Sequence, residues 1–400
     1  MRIQQLSVSG YRSLQKVSLE LGPLSVFIGP NGSGKTNVLS TLELISATLR
    51  GQLLDTVLRQ GGMSQIVWGR EERSIDFSIR TDPVDPHLDR QENALSYHLR
   101  LTKVGETGTY QISAESLTSR YEYDKGLRSQ PFKFAERTPS RVIMWSTEER
   151  GLRQVDQEPE LLSGEESVIA QVRDAAQYPV AFAFRSFCSS WTFYRDFAVG
   201  PLSETRRAAI TRPETRLLPD GSNLISVLHT LYTTDRVFKS DLDTALGSTF
   251  PDDYEELMFP PAEDGRVQMR WASRNFTAPL SALDLSDGTL RFMMLCAILI
   301  GPDPAPVVVI DEPELGLHPS MMATIADMMK EAAERTQIIV ATHSPEFVNA
   351  FTDRPDCVVV FSKHDGATSA QRLRLEELKH WLTEYALGEL WVRKELEDRS

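Results

Sequence analysis

With 400 residues, 41% of them hydrophobic and 25% charged, the chain is long enough for a sizeable core in two or three lobes. Its formal net charge of -13 argues against a broad basic footprint for nucleic acid and leaves room only for a local basic groove. Three cysteines, Cys188, Cys296 and Cys357, lie far apart without a CxxC pair, which argues against a zinc site.

Those cysteines read as reduced core thiols, and the N-terminus lacks the apolar segment of a signal peptide, so a cytoplasmic location is expected. The longest apolar run, Phe292 to Ile300, is too short to span a bilayer, and no membrane association is expected.

In chain order, Leu24 to Ile28 reads as a buried strand stopped by Gly29-Pro30, and a helix is predicted from Lys35 with Val38, Leu39, Leu42, Leu44 and Ile45 near its buried side. From about residue 73 the hydrophobic period becomes two, in Ile75, Phe77 and Ile79 and then in Leu95, Tyr97, Leu99 and Leu101. That pattern predicts antiparallel strands, with a hairpin turn at Gly105 to Gly108. Residues 82–92 and 125–140 read as loops. Helices are predicted over Glu158 to Ala176 and Asn223 to Tyr232, the second capped by Gly221-Ser222-Asn223. No sustained heptad supports a coiled-coil arm. Beyond residue 276 the pattern is α/β: a helix over Thr289 to Ile300, a strand over Pro306 to Ile310, a helix over Ser320 to Arg335 and a strand over Gln337 to Ala341. A methionine-rich stripe, Met321, Ile325, Met328, Met329 and Ala332, reads as core packing. The tail reads as a strand over Cys357 to Phe361 and a closing helix near Leu375 to Tyr385.

Four motifs carry chemistry. Gly29-Pro30-Asn31-Gly32-Ser33-Gly34-Lys35-Thr36 fits G-x-x-x-x-G-K-[ST] at every fixed position, with a strand before it and a helix after it. Glycines let successive backbone N–H groups turn toward phosphate oxygens, and the helix N-terminus adds its positive end. Lys35 can then reach the β- and γ-phosphates and Thr36 can ligate Mg²⁺; Asn31, Gly32, Ser33, Gly34 and Asn37 complete the candidate nucleotide-binding set. In Val307 to Glu312, four apolar residues lead into two acids. Asp311 is the candidate Mg²⁺ holder and Glu312 the candidate group that orients or deprotonates the attacking water. Next, Thr342-His343-Ser344 follows a strand, so His343 can bond a γ-phosphate while Ser344 caps a helix. Finally, Leu285 to Thr289 places Ser286 and Gly288 at a helix N-terminus, an anion-binding end or a simple cap.

Together these motifs resemble the ATP-binding-cassette ATPases, and within them the RecF/SMC/OLD-type branch. Residues 29–37, 285–291, 311–319 and 342–345 carry the resemblance, joined by the opening Ser9 to Leu14 and the tail Trp381 to Trp391. The fold it implies is α/β, an ABC-ATPase head with a P-loop mixed sheet flanked by helices, an antiparallel β subdomain and a mainly helical insertion. The segments expected are an N-terminal ATPase lobe over 1–150, an insertion or lid over 151–275 and a C-terminal ATPase lobe over 276–400. The resemblance also implies a head-to-tail homodimer around two ATP molecules with Mg²⁺, in which Ser286 and Gly288 of one copy face the γ-phosphate held by Lys35 of the other. Arg12 resembles the family arginine that approaches the nucleotide, and Gln65 is either the lobe-linking glutamine or an ordinary loop residue.

OLD-type nucleases carry a Toprim domain after the ATPase. Here 57 residues follow His343, fewer than a domain of typical size, and they hold no Asp-x-Asp pair, so the chain is not expected to cut DNA itself. The leading expectation is an ATPase switch for DNA repair or phage defence, acting with a separate nuclease or effector protein. Its alternatives are a nucleotide-gated clamp with negligible turnover and a small-molecule kinase, for which Arg206-Arg207 would have to supply lid arginines but read more plainly as an exposed basic pair. For direct DNA contact, Arg100, Lys103 and Arg141 are the candidates, with solvated strand faces as the alternative.

Overall fold

The computed structural model describes residues 1–70, 72–83, 94–105, 108–119, 126, 129–139, 141–146, 153–157 and 164–396. They divide into two compact units, residues 1–191 with 359–373 and residues 192–358 with 374–400, rather than into the three expected segments.

The first unit is built on the period-two segments. Eight antiparallel strands lie in the order Leu14–Glu20, Ile3–Tyr11, Ser74–Pro83, Ala94–Val104, Thr109–Ser119, Phe132–Thr138, Arg141–Ser146 and Arg153–Gln157. Register follows the apolar alternation: Val8 faces Val17 on one side and Phe77 on the other, and Phe77 faces Leu99. Ile75, Phe77, Ile79 and Tyr97 are fully buried, as a strand with one packed face requires. The strand Phe132–Thr138 corrects the loop expected over 125–140: its half-buried Lys133 and Glu136 hide the apolar alternation, and its Arg137 is buried and donates to the Glu166 carbonyl. The turn expected at Gly105 to Gly108 includes residues 106–107, which lie outside the described residues.

In the same unit the buried strand Leu24–Ile28 is flanked by Val358–His364, which pairs antiparallel with Ala367–Arg372, and Phe27 packs on Phe361 at 5.0 Å. Lys35–Arg50 forms the predicted helix, closed by Gly51 in the left-handed conformation. A second helix, Pro179–Ser189, docks on it through Ser46 Oγ donating to the Cys188 carbonyl (2.8 Å) and Arg50 donating to the Ser189 and Trp191 carbonyls. The helix expected over Glu158 to Ala176 is not formed in its described part, where Ile169–Gln171 makes one 3₁₀ turn; residues 158–163 lie outside the described residues.

The second unit holds three parallel strands, Thr192–Tyr194, Val307–Asp311 and Gln337–Ala341, with Asp311 level with Ala341. The last two are buried along nearly their whole length, which explains their unbroken aliphatic sequences. Helices Asp287–Ile300 and Met322–Arg335 accompany them, and Met321, Ile325, Met329 and Ala332 of the stripe are buried, with Met328 half-buried. The middle of the chain is less helical than expected. Besides the helices Pro179–Ser189, Leu224–Thr234 and Arg236–Thr249 it holds two small antiparallel sheets. Asn223 does not cap its helix; its Oδ1 accepts from the Leu218 amide, and Asp235 is the side chain that caps the next helix. The tail forms three short pieces, Leu375–Leu378, Trp381–Thr383 and Leu387–Val392, in place of one closing helix. Among the described residues no helix is long and apolar enough to cross a membrane.

Candidate functional site

The phosphate-loop candidates belong to the first unit. Gly29, Gly32 and Gly34 all have positive φ, at 147°, 75° and 109°. At Gly34 a Cβ would stand 2.1 Å from Thr368 Oγ1, so only glycine allows the turn to close against the neighbouring strand. Thr368 Oγ1 in turn donates to the Ser33 carbonyl at 2.8 Å and its amide donates to the Ser13 carbonyl, so the loop is braced from the side. Lys35 is buried, 3% exposed, and its Nζ donates to the Gly29 carbonyl at 2.7 Å. With a second bond to the Pro30 carbonyl at 3.2 Å, it ties the ammonium to the loop's own backbone. Ser33 Oγ is buried with no hydrogen-bond partner among the described residues, an oxygen that an incoming ligand would satisfy. Asn31, Gly32 and Thr36 are exposed.

Arg12 has φ 47°, an uncommon conformation for a side chain with a Cβ. Its amide donates to the Ile66 carbonyl (2.7 Å), and its guanidinium reaches Asn37 Oδ1 (3.5 Å) and Gln60 Oε1 (3.3 Å). Asn37 also donates to Ser13 Oγ at 2.7 Å. Gln60, which also accepts from the Tyr11 hydroxyl, is thus the glutamine that meets the candidate arginine. Gln65 is exposed against Gly61.

Asp311, Glu312, His343, Ser286 and Gly288 belong to the second unit. Val307–Asp311 and Gln337–Ala341 end side by side, and the Glu312 amide donates to the Ala341 carbonyl at 2.8 Å. Glu312 sits at φ 53°, a left-handed conformation that turns the chain sharply just past the strand. Its Oε1 lies 3.7 Å from His343 Nε2, beyond a direct hydrogen bond, with both side chains partly open to solvent. Ser344 caps the following helix through Phe347 N, as expected.

Two residues organise this unit, Glu314, to which sequence reasoning gave no role, and Arg206, which it read as exposed. Glu314 accepts from Thr342 Oγ1 and from the His343 amide, both at 2.7 Å. Arg206, expected to be exposed, is buried at 7% and donates to the carbonyls of Val199, Ala282, Leu283 and Leu285 and to Asp287 Oδ1. Those bonds hold the segment that leads into Ser286. Arg207 is the exposed member of the pair and meets Glu204. Ser286 caps the helix Asp287–Ile300 through the Thr289 amide, and a Cβ on Gly288 would stand 2.7 Å from the Gly316 carbonyl. The run of small residues after Leu285 was the available signal of that close approach.

The hydroxyl of Thr36 and the carboxylate of Asp311 are hard oxygen donors of the kind Mg²⁺ takes. Among the described residues no group of three or more His, Cys, Asp or Glu could hold a metal ion by itself. Of the DNA candidates, Arg100 is engaged by Asp76 at 2.7 Å; burial raises the Asp76 carboxyl, but bonds from His98 and Arg100 outweigh it and hold it below the usual range. Lys103 is half-buried and Arg141 exposed.

The sequence matches, over residues 24–349, the model of the family described as "AAA domain, putative AbiEii toxin, Type IV TA system". It is 24% identical over 379 residues to the OLD nuclease of Thermus scotoductus, covering 90% of this chain and 63% of that protein. The chain therefore spans less than two thirds of that relative's length. A segment of 86 residues, 20% of the chain, is 35% identical to 7% of the chromosome partition protein Smc of Desulfitobacterium hafniense. The fold is similar to the Smc head bound to the C-winged helix domain of ScpA, with TM-score 0.58, 14% identity and coverage of 94% of this chain and 99% of that one. It is also similar to the Smc head with an extended coiled coil bound to the C-terminal domain of ScpA from Pyrococcus furiosus, with TM-score 0.55, 14% identity and coverage of 96% and 98%.

Proposed function

Because the chain belongs to this AAA-domain family, as an ABC-type P-loop ATPase of the SMC/RecF/OLD branch, we propose that it hydrolyses ATP in a cycle that closes two copies around nucleotide. The observation that carries this reading is the pairing of a carboxylate and an imidazole, Glu312 and His343, at the ends of adjacent parallel strands. Glu312 takes the proton of, or orients, the attacking water, and His343 donates to the γ-phosphate as charge develops there. Lys35 swings from the Gly29 carbonyl to the β- and γ-phosphates, and the amides of Asn31 to Thr36 with the Ser33 hydroxyl line the remaining oxygens. Mg²⁺, when bound, would neutralise phosphate charge; Thr36 and Asp311 would hold it. Arg12 bonds Asn37, the residue after Thr36, and so stands next to the loop.

Ser286 and Gly288 then meet the γ-phosphate of a second copy, so the triphosphate joins the copies and its hydrolysis releases them. The work of the cycle falls on a separate nuclease or effector protein in repair or phage defence. The relatives support this: one is a nuclease, and the SMC heads are bound to ScpA domains. Direct DNA contact through Arg100, Lys103 or Arg141 is a subsidiary proposal.

The test measures ATP turnover and, by light scattering, mass with and without ATP, for the wild type and Glu312→Gln. The expected result is turnover in the wild type only and ATP-dependent dimers that persist in the variant. Equal, negligible turnover in both proteins makes the chain a nucleotide-gated scaffold instead, and a strictly monomeric variant under saturating ATP overturns the dimer.

A further inference from the structure

Glu314 lies two residues past the proposed base, in the turn after the strand Val307–Asp311. Its Oε1 takes two hydrogen bonds, from Thr342 Oγ1 and the His343 amide, and Thr342 is fully buried. Its Oε2 is buried without a hydrogen-bond partner among the described residues. Both bonds of this carboxylate therefore run to the histidine turn, and none of its bonding capacity is committed elsewhere. A carboxylate that served only to fill space or to cap its own turn would bond its own neighbours; this one reaches 28 and 29 residues along the chain.

The consequence is geometric. Residues 311 and 341 are already level, and the Glu312 amide is tied to the Ala341 carbonyl. The Glu314 clamp adds a second tie one and two residues further on, across the point where the strands end and pairing would otherwise stop. Glu312 and His343 each carry one of these tied amides, and the Glu312 carboxylate, on a left-handed backbone, lies 3.7 Å from the His343 imidazole. The His343 amide is held directly, so the direction in which its side chain leaves the backbone is set by Glu314.

We propose that Glu314 is a positioning residue for ATP hydrolysis, fixing His343 against Glu312 through the two bonds its Oε1 accepts. This rests on the ATPase reading above. A group that acts through another cannot cost more than the group it positions, and its loss is silent once that group is gone. The amide of glutamine has an oxygen that can accept the same two bonds, so Glu314→Gln preserves the clamp and removes the charge.

The experiment is a double-mutant cycle in full-length protein: wild type, Glu314→Ala, Glu314→Gln, His343→Ala and the double Ala variant. Readouts are kcat, KM, ATP affinity of each protein by a fluorescent analogue, and thermal midpoint. Glu314→Ala is expected to lower kcat roughly ten- to a hundredfold, as a misplacement near 1 Å would, with nucleotide affinity within about threefold of wild type. Glu314→Gln should recover most of kcat, and the Ala change should add nothing in the His343→Ala background. Additive losses, or loss of nucleotide affinity in parallel with kcat, overturn the proposal while leaving the ATPase reading intact. Absence of turnover in the wild type overturns both. A folding effect is separated by the thermal midpoint: if Glu314→Ala fails to fold, the Gln variant decides, since a clamp predicts activity near wild type and full loss refutes it.

Discussion

His343 Nε2 stands 3.7 Å from Glu312 Oε1, each residue just past the end of one of two neighbouring parallel strands. That gap is too long for a direct hydrogen bond and wide enough for a water or phosphate oxygen to be shared between the two groups. His343→Ala removes one donor and is expected to lower kcat about 10²–10³-fold. ATP affinity, measured separately with a fluorescent analogue, should change little. A kcat within threefold of wild type would remove His343 from the chemistry.

The cradle makes a steric prediction. In Gly34→Ala the new methyl meets Thr368 Oγ1 at 2.1 Å on a backbone with φ 109°, so the loop must move. The strain should cost about 1–3 kcal/mol in urea unfolding. Nucleotide affinity should fall at least about tenfold. An alanine variant with wild-type affinity would show that the loop is not held in this form when it binds.

Arg206 makes a prediction about stability. Its replacement by alanine strips three buried carbonyls, of Val199, Ala282 and Leu285, and the part-buried carbonyl of Leu283 of their donor, each orphaned buried acceptor costing at least about 1 kcal/mol when water cannot replace it. A loss of roughly 3 kcal/mol is expected, carried by these bonds and not by Asp287, which is largely exposed. Lysine lacks the planar fork and should not rescue. Exposed Arg207→Ala should stay within about 0.5 kcal/mol of wild type by the same measurement.

Glu115 gives the pH dependence. Burial raises its carboxyl above the ordinary range, against the lowering effect of bonds from Ser167, Val168 N and Tyr97. Because the folded protein holds this proton more tightly than the unfolded chain, the group's contribution is fully present below the unfolded carboxylate value. It is lost as pH rises through the raised folded value. The stability of wild type relative to Glu115→Gln should therefore increase as pH is lowered from neutrality toward about 4.5, the unfolded carboxylate range. A difference that is flat or reversed over that interval would show that the native carboxyl is not raised.

The thiols differ in reach. Cys188 and Cys296 are buried, and burial pushes both thiols upward, while Cys357 is half-buried. Limited alkylation of the native protein followed by peptide mapping should label Cys357 first. All three should react after denaturation. Early labelling of Cys188 would mean that the helix Pro179–Ser189 undocks readily.

Local sequence patterns named the candidate chemistry of the site and the type of most of its flanking elements. A P-loop, two acids after an aliphatic strand and a histidine after another are local patterns, fixed by residues that adjoin along the chain. The strands Leu24–Ile28 and Gln337–Ala341 and the helix from Lys35 follow from hydrophobic period and from glycine at the turns. Polar-faced strands such as Phe132–Thr138 stayed hidden, because charged side chains on a half-solvated sheet carry no strong alternation. Folding alone brings Glu314 onto Thr342 and His343, buries Arg206 against carbonyls as far away as Leu285, and sets Gln60 rather than Gln65 against Arg12. Each of these depends on hydrogen bonds between residues dozens of positions apart. Composition and spacing record which groups need a partner, and the fold alone assigns the partner by bringing distant backbone and side chain within bonding distance.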